Sequence, residues 1–156
     1  MHLEGSCHCG SVTFQVESPH PYPYQRCYCS ICRKTAGGGG YTINIGALAE
    51  TLQVQGSAHK RIYHARIDGQ ESPGERHFCG TCASTLWVYD PQWPELVHPF
   101  ASAIDTELPV PPERVHLLLD SKASWVEPDV RENDKCFEGY PEESLAAWHE
   151  RLGLVR

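Results

Sequence analysis

Apolar and polar residues alternate with a period of two in several short stretches of the chain, which is the pattern of half-buried β-strands. The predicted strands cover residues 11–17, 41–45, 52–55, 60–67, 76–78, 85–89 and 114–119, with one more near 100–104. Glycine-rich and proline-rich turns separate them, and short strands joined by turns are typical of antiparallel sheets. We therefore expect a mainly β protein.

The end of the chain carries a helical pattern instead. Leu145, Trp148 and Leu152 share one helical face, Pro141 suits a first turn and Gly153 suits a stop. The sequence thus predicts one short surface helix near the C-terminus. Four successive glycines, residues 37–40, predict a flexible turn.

Length and charge limit the class of protein. With 156 residues the chain is long enough for a single domain, spanning residues 1–156. A net charge of −7 disfavours binding to nucleic acids or to anionic membranes. The sequence also shows neither a signal peptide nor an apolar run long enough for a membrane span, so we expect a cytoplasmic protein.

Eight cysteines are the main chemical feature. Thiols stay reduced in the cytosol, where clustered cysteines usually indicate metal or redox chemistry. Seven of them form three groups and Cys136 stands apart. The groups are Cys7 with Cys9, then Cys27, Cys29 and Cys32, then Cys79 with Cys82.

The spacing of these cysteines favours two zinc sites. The first and last groups each place two thiolates at the end of a predicted strand, and together they make a closed four-sulfur site that is structural. Cys27, Cys29 and Cys32 then form a three-sulfur site with one open position, as catalytic zinc sites have. These three are the candidate catalytic residues.

Two alternatives remain for the cysteines. One is a disulfide framework, although bridges between residues spaced Cys-x-Cys are strained. The other is that both metals are structural, the second one taking a histidine as its fourth ligand. The candidates for that ligand are His8, His20, His59, His64 and His77. Cys136 fits best as a small hydrophobic residue.

Three basic residues bracket the trio: Arg26, Arg33 and Lys34. We interpret them as candidate substrate-binding residues that would hold an anionic substrate over the open position. The alternative is that they balance the charge of the thiolates or lie in water.

The cysteine blocks resemble those of the glutathione-dependent formaldehyde-activating enzyme family. The resemblance lies in Gly5-Ser6-Cys7-His8-Cys9-Gly10, Cys27-Tyr28-Cys29-Ser30-Ile31-Cys32-Arg33-Lys34 and Phe78-Cys79-Gly80-Thr81-Cys82. It implies several small, coiled antiparallel sheets around two zinc ions, one held by four cysteines and one by three. It also implies a carbon–sulfur lyase activity, the addition of glutathione to formaldehyde that gives S-hydroxymethylglutathione.

Three functions are therefore open. The first is a zinc enzyme whose partners are a small-molecule thiol, glutathione or similar, and formaldehyde or another small aldehyde. The second is a non-catalytic, zinc-stabilised binding module in which both metal sites are structural. The third, a methionine sulfoxide reductase on a related scaffold, would need Cys136 as its reactive thiol. The cysteine blocks specify the metal sites and leave the substrate open.

Overall fold

The computed structural model describes residues 1–154, and within them short strands predominate over helices. The strands are β1 His2–Ser6, β2 Thr13–Glu17, β3 Tyr24–Cys27, β4 Thr42–Asn44, β5 Ala47–Leu48, β6 Gln53–Gln55, β7 Lys60–Tyr63, β8 Arg66–Ile67, β9 Gln70–Glu71, β10 Glu75–Cys79, β11 Thr85–Tyr89, β12 Leu96–Pro99, β13 Arg114–Leu117 and β14 Lys135–Cys136. The α-helices are α1 Ser30–Ala36 and α2 Leu145–Arg151.

The strands form four small sheets, which confirms the mainly β class. A three-stranded sheet has the order β1-β2-β6, a five-stranded sheet β5-β12-β11-β10-β7, a four-stranded sheet β14-β13-β3-β4, and β8 pairs with β9. The four-stranded sheet is mixed, because β13 runs parallel to both β3 and β14. Pairing between strands far apart in sequence has no signal in local alternation, so the parallel pairs were not foreseen.

Most predicted strands lie where the alternation places them, and β11 has the predicted bounds. The stretch 60–67 divides into β7 and β8. The strand predicted near 100–104 is wrong: Ala101–Ala103 is a 3-10 helix, and the strand precedes it as β12. Pro99 closes β12, and the prolines of this region obscured the strand in the sequence.

The C-terminal helix begins later than predicted, and it is a surface helix with one buried face. Ser144 caps α2 by accepting a hydrogen bond from the Ala147 backbone N–H. Trp148 is buried, and its indole N–H donates to Glu113 over 2.9 Å. Helix α1, inside the cysteine trio, was not predicted. Its seven residues are too few to show a helical period.

The main hydrophobic core lies between the three-stranded and five-stranded sheets. Phe14 of β2 packs edge-on against Trp87 of β11, with ring centroids 5.0 Å apart. Both side chains are almost fully buried. The other face of the five-stranded sheet is therefore free to line a cavity. Among the described residues, no helix has the length and apolar character of a membrane span.

Candidate metal centres and the trio cavity

Cys7, Cys9, Cys79 and Cys82, here called the four-cysteine site, meet as the sequence predicted. Their sulfurs all lie within 4.8 Å of one another. The Cys7–Cys9 and Cys9–Cys79 sulfur separations are 3.6 Å and 3.8 Å. Zinc–sulfur bonds of about 2.3 Å at tetrahedral angles require sulfurs about 3.8 Å apart, so the site fits a zinc ion. All eight cysteines are free thiols, which disagrees with a disulfide framework.

Backbone turns supply hydrogen bonds to these sulfurs. The Val12 N–H donates to Cys7 Sγ at 3.2 Å, and the Thr81 N–H donates to Cys79 Sγ at 3.4 Å. A hydrogen bond with Ser84 lowers the pKa of Cys82 to about 5, which favours the thiolate that a metal binds. The site joins the chain after β1 to the end of β10, about seventy residues later in sequence.

Cys27, Cys29 and Cys32, here called the cysteine trio, form a second cluster with sulfurs within 4.8 Å of one another. Cys27 ends β3, Cys29 is the N-cap of α1, and Cys32 lies in the first turn of that helix. Cys29 Sγ accepts a hydrogen bond from the Cys32 N–H at 3.3 Å. The cap geometry thus brings together three sulfurs from six consecutive residues.

The described part of the chain offers the trio no fourth ligand. Among residues 1–154, no further cysteine, histidine, aspartate or glutamate places a ligand atom within this cluster. The histidines proposed as completing ligands have other partners or positions. His64 contacts the carbonyl oxygens of Ser72 and Gly74, and His77 contacts Glu75. The donor set fits a zinc ion with one position left for water or an external ligand.

The trio opens into a cavity of about 310 Å³ between the four-stranded and five-stranded sheets, here called the trio cavity. Its polar lining includes Gln25, Asn44, Ser72, Arg76, Asp90, His98 and Tyr140. The register explains the opposite wall. Arg76 pairs with Val88, and Val88 pairs with His98, so these three form a row across the sheet. Cross-strand partners share a face, so all three face the trio.

Arg76 is the cation of this cavity. Both of its terminal nitrogens lie 3.6 Å from Cys32 Sγ. Hydrogen bonds from Cys27 and Cys29 lower the pKa of Cys32, and the Arg76 charge adds to the shift. Hydrogen bonds with Cys29 and Cys32, together with burial, raise the pKa of Cys27. Without a metal, negative charge therefore concentrates on the sulfur beside Arg76.

The three basic residues singled out in the sequence lie away from the cavity lining. Arg26 alternates with Cys27 along β3 and stacks over the Tyr41 ring, 4.8 Å from its centroid. Arg33 reaches toward the Ser121 carbonyl, and Lys34 is exposed. Their role in substrate binding stays a prediction.

The sequence reasoning missed Arg76 and His98. Arg76 was placed in a predicted strand, but nothing local linked that strand to the trio. Arg76 contacts Cys32 because two sheets pack against each other. To predict this contact from the sequence, the register of the paired strands would have to be known.

A buried network supports the trio from behind. Tyr28 lies between Cys27 and Cys29, and its hydroxyl contacts His116 Nδ1 at 2.8 Å. His116 Nε2 lies 2.8 Å from Asp134 Oδ2, to which Arg114 Nε also donates, at 2.9 Å. Burial acts to raise the pKa of Asp134, but the hydrogen bonds from Arg114, Arg131 and His116 prevail and lower it well below its usual range.

Two cysteine clusters that could each hold a metal ion, carried on several small sheets, define a class of small metal-binding β proteins. Residues 2–120 match the family described as glutathione-dependent formaldehyde-activating enzyme, and the chain belongs to that family.

Two relatives illustrate the likeness. A protein of Halomonas elongata is 70% identical over 154 residues, which is 99% of this chain and 98% of the relative. That protein carries a provisional name as a glutathione-dependent formaldehyde-activating enzyme. A crystal structure of a Rhodobacter sphaeroides protein matches with a TM-score of 0.55 and 26% identity, over 68% of this chain and 91% of that one.

Proposed function

We propose that the protein catalyses the addition of a thiol, glutathione or a similar compound, to formaldehyde or another small aldehyde. This is a reaction of the carbon–sulfur lyase class. The observation that carries the proposal is the incomplete ligand set of the trio, which lines a cavity. A metal site meant only for stability is usually closed by the polypeptide. Membership of the family supports the same reaction.

Some residues of the site would bind the metal ion, and others would contact the substrates. Cys27, Cys29 and Cys32 would bind Zn²⁺, which when bound would promote ionisation of an incoming thiol. The Arg76 guanidinium offsets the negative charge of the sulfurs at Cys32. Gln25 and Asn44 offer hydrogen-bonding groups to the bound partners within the same cavity. Holding both reactants there removes much of the entropic barrier to their meeting.

The test follows the condensation directly by proton NMR, with glutathione, cysteine and cysteamine each offered with formaldehyde. We expect the zinc-loaded protein to accelerate formation of an S-hydroxymethyl adduct above the buffer rate for at least one thiol. Cys29→Ser should reduce the rate to that of buffer, because a trio ligand is lost. Cys136→Ser is the matched control, because Cys136 is exposed and outside both clusters.

Two results would contradict the proposal. One is a wild-type protein that accelerates the reaction of none of the thiols. The other is a Cys29→Ser protein that unfolds, which would favour the binding module with two structural metals. Circular dichroism of each variant separates loss of fold from loss of activity.

A further inference from the structure

His98 occupies the trio cavity without an assigned role. It lies on β12, one strand beyond Val88 in the row that begins at Arg76. Its side chain lines the same cavity as the trio and belongs to neither cysteine cluster. The sheet therefore presents a cation over Cys32 and an imidazole two strands away, on one face.

The imidazole of His98 lacks a full set of partners. Its Nδ1 is buried and has no hydrogen-bond partner among the described residues. Buried polar atoms are normally paired, so the imidazole keeps hydrogen-bonding capacity that the described protein groups do not use. The buried His116, by contrast, is paired at both ring nitrogens, with Tyr28 and Asp134.

We propose that His98 transfers the proton in the condensation, accepting it from the thiol and returning it to the aldehyde oxygen. This rests on the proposed function. The S–H bond breaks as the proton moves to an imidazole nitrogen, and the sulfur electron pair forms the C–S bond. The C=O π pair moves to oxygen, which takes the proton back from the imidazolium. The products are a hydroxymethyl thioether and neutral His98, so no outside oxidant or reductant is needed.

The surroundings of His98 favour the neutral imidazole before the proton transfer and stabilise the imidazolium after it. Burial lowers the pKa of His98, so the imidazole is neutral and able to accept a proton at pH 7. Once the proton has moved, the substrate thiolate and the carboxylate of Asp90 in the same cavity stabilise the imidazolium. Arg76, the trio thiols and Tyr140 are the other titratable or charged groups that line this space.

Calorimetry of thiol binding tests the proton transfer without relying on turnover. The zinc-loaded protein is titrated with glutathione at pH 7 in two buffers of different ionisation enthalpy, which gives the protons released per thiol bound. If His98 takes the proton, the wild-type protein releases close to none and His98→Gln releases about one. His59→Gln is the matched control because His59 is exposed, and it should behave as the wild type.

The same variants are then compared in the condensation. We expect His98→Gln to lower kcat by about 10²-fold or more with little change in KM, as loss of a general acid–base residue does. Added imidazole should restore part of the rate. Equal kcat, or equal proton release by the wild type and His98→Gln, would overturn the role of His98. A wild-type protein without any condensation activity would instead overturn the proposed function.

A second measurement needs no variant. Side-chain ¹⁵N NMR of the histidine-labelled, zinc-loaded wild-type protein should show one neutral imidazole becoming imidazolium on addition of glutathione at pH 7. If no histidine changes its protonation state, the inference fails, whatever the folding of the His98 variants.

Discussion

Neighbouring residues on a strand point to opposite faces of the sheet, and this alternation decides which arginine contacts the trio. Arg26 is adjacent to Cys27 in sequence, and alternation on β3 directs its side chain to the other face, over Tyr41. Arg76 is more than forty residues from Cys32, and both of its terminal nitrogens lie 3.6 Å from that sulfur. Proximity in sequence was therefore a poor guide to which basic residue contacts the trio, because the direct neighbour of a residue on a strand faces the opposite side of the sheet.

At this scale we predict that Arg76→Gln lowers the affinity of the cysteine trio for zinc. Removal of a partner that hydrogen-bonds a metal ligand typically costs 10–100-fold in affinity, and a loss of about that size is expected here. Competition with a chromophoric chelator measures the affinity. Arg66→Gln is the control, since Arg66 is exposed and its side chain donates to the Gly69 carbonyl nearby. Equal zinc affinities in both variants would show that the Arg76 contact is incidental.

The division of the cysteines could be predicted at the residue scale, whereas the cavity could not. Pairs such as Cys79 and Cys82 carry their relation in the spacing itself, because a tight turn brings both sulfurs to one point. His98 and Arg76 have no such local signal. They meet the trio through the register of β10, β11 and β12 and through the packing of one sheet on another.

At the scale of elements, the four glycines form the connection that turns the chain from α1 into β4. Gly37 caps the helix, and the Gly40 N–H donates to the Gly37 carbonyl at 2.8 Å. Gly40 has a φ of +99°, and a Cβ atom there would lie 2.3 Å from Val126 Cγ2. The last glycine is thus required by backbone shape and by close packing.

Gly40→Ala should therefore destabilise the protein by about 2 kcal/mol or more, through strain and overpacking. Gly38→Ala is the matched control, because a Cβ at that position would meet nothing within 4 Å. Its effect should stay within about 0.5 kcal/mol. Urea unfolding of both zinc-loaded variants measures the difference, and equal stabilities would contradict the role given to Gly40.

The pairing of β13 with both β3 and β14 brings His116 and Asp134 behind the trio, and this network makes stability depend on pH. Because the pKa of Asp134 is lowered in the folded state, its ionic contribution is present above the unfolded value of about 3.9 and is lost as pH falls toward the folded value. Asp134→Asn should cost about 3 kcal/mol at pH 7, since Arg114 loses its buried partner.

The loss should shrink as the pH is lowered from 5 to 2, because Asp134 then gains a proton in the unfolded chain but stays ionised in the folded protein, which shifts the wild type toward the unfolded state. Urea unfolding of both proteins at each pH measures the difference in their free energies of unfolding, which cancels the loss of metal common to both. A difference that stays constant down to pH 2 would show that Asp134 does not carry the effect.

At the scale of the whole molecule, the two cysteine clusters have different positions. The four-cysteine site touches the main core, where Cys7 and Cys79 are members of the hydrophobic cluster. Cys27 and Cys32 of the trio belong to a second hydrophobic cluster, and the trio also lines the cavity between two sheets. The four-cysteine site joins parts of the chain that are distant in sequence, whereas the trio joins neighbouring residues beside a cavity with room for a reactant.

Cys79→Ser should consequently lower the melting temperature by about 10 °C, the effect of losing roughly 3 kcal/mol in a domain of this size. Cys29→Ser should change it much less, because its cluster joins residues that are already adjacent in sequence. Differential scanning calorimetry of the zinc-loaded variants decides this, and a larger effect for Cys29→Ser would reverse the assignment of the two sites.

Cadmium-113 NMR of the cadmium-substituted protein tests the central claim most directly, because the chemical shift of the metal reports how many sulfurs surround it. The account predicts one resonance typical of four sulfurs and one typical of three, and glutathione should move only the second into the four-sulfur range. Two four-sulfur resonances before any thiol is added, or a second resonance that ignores glutathione, would contradict it.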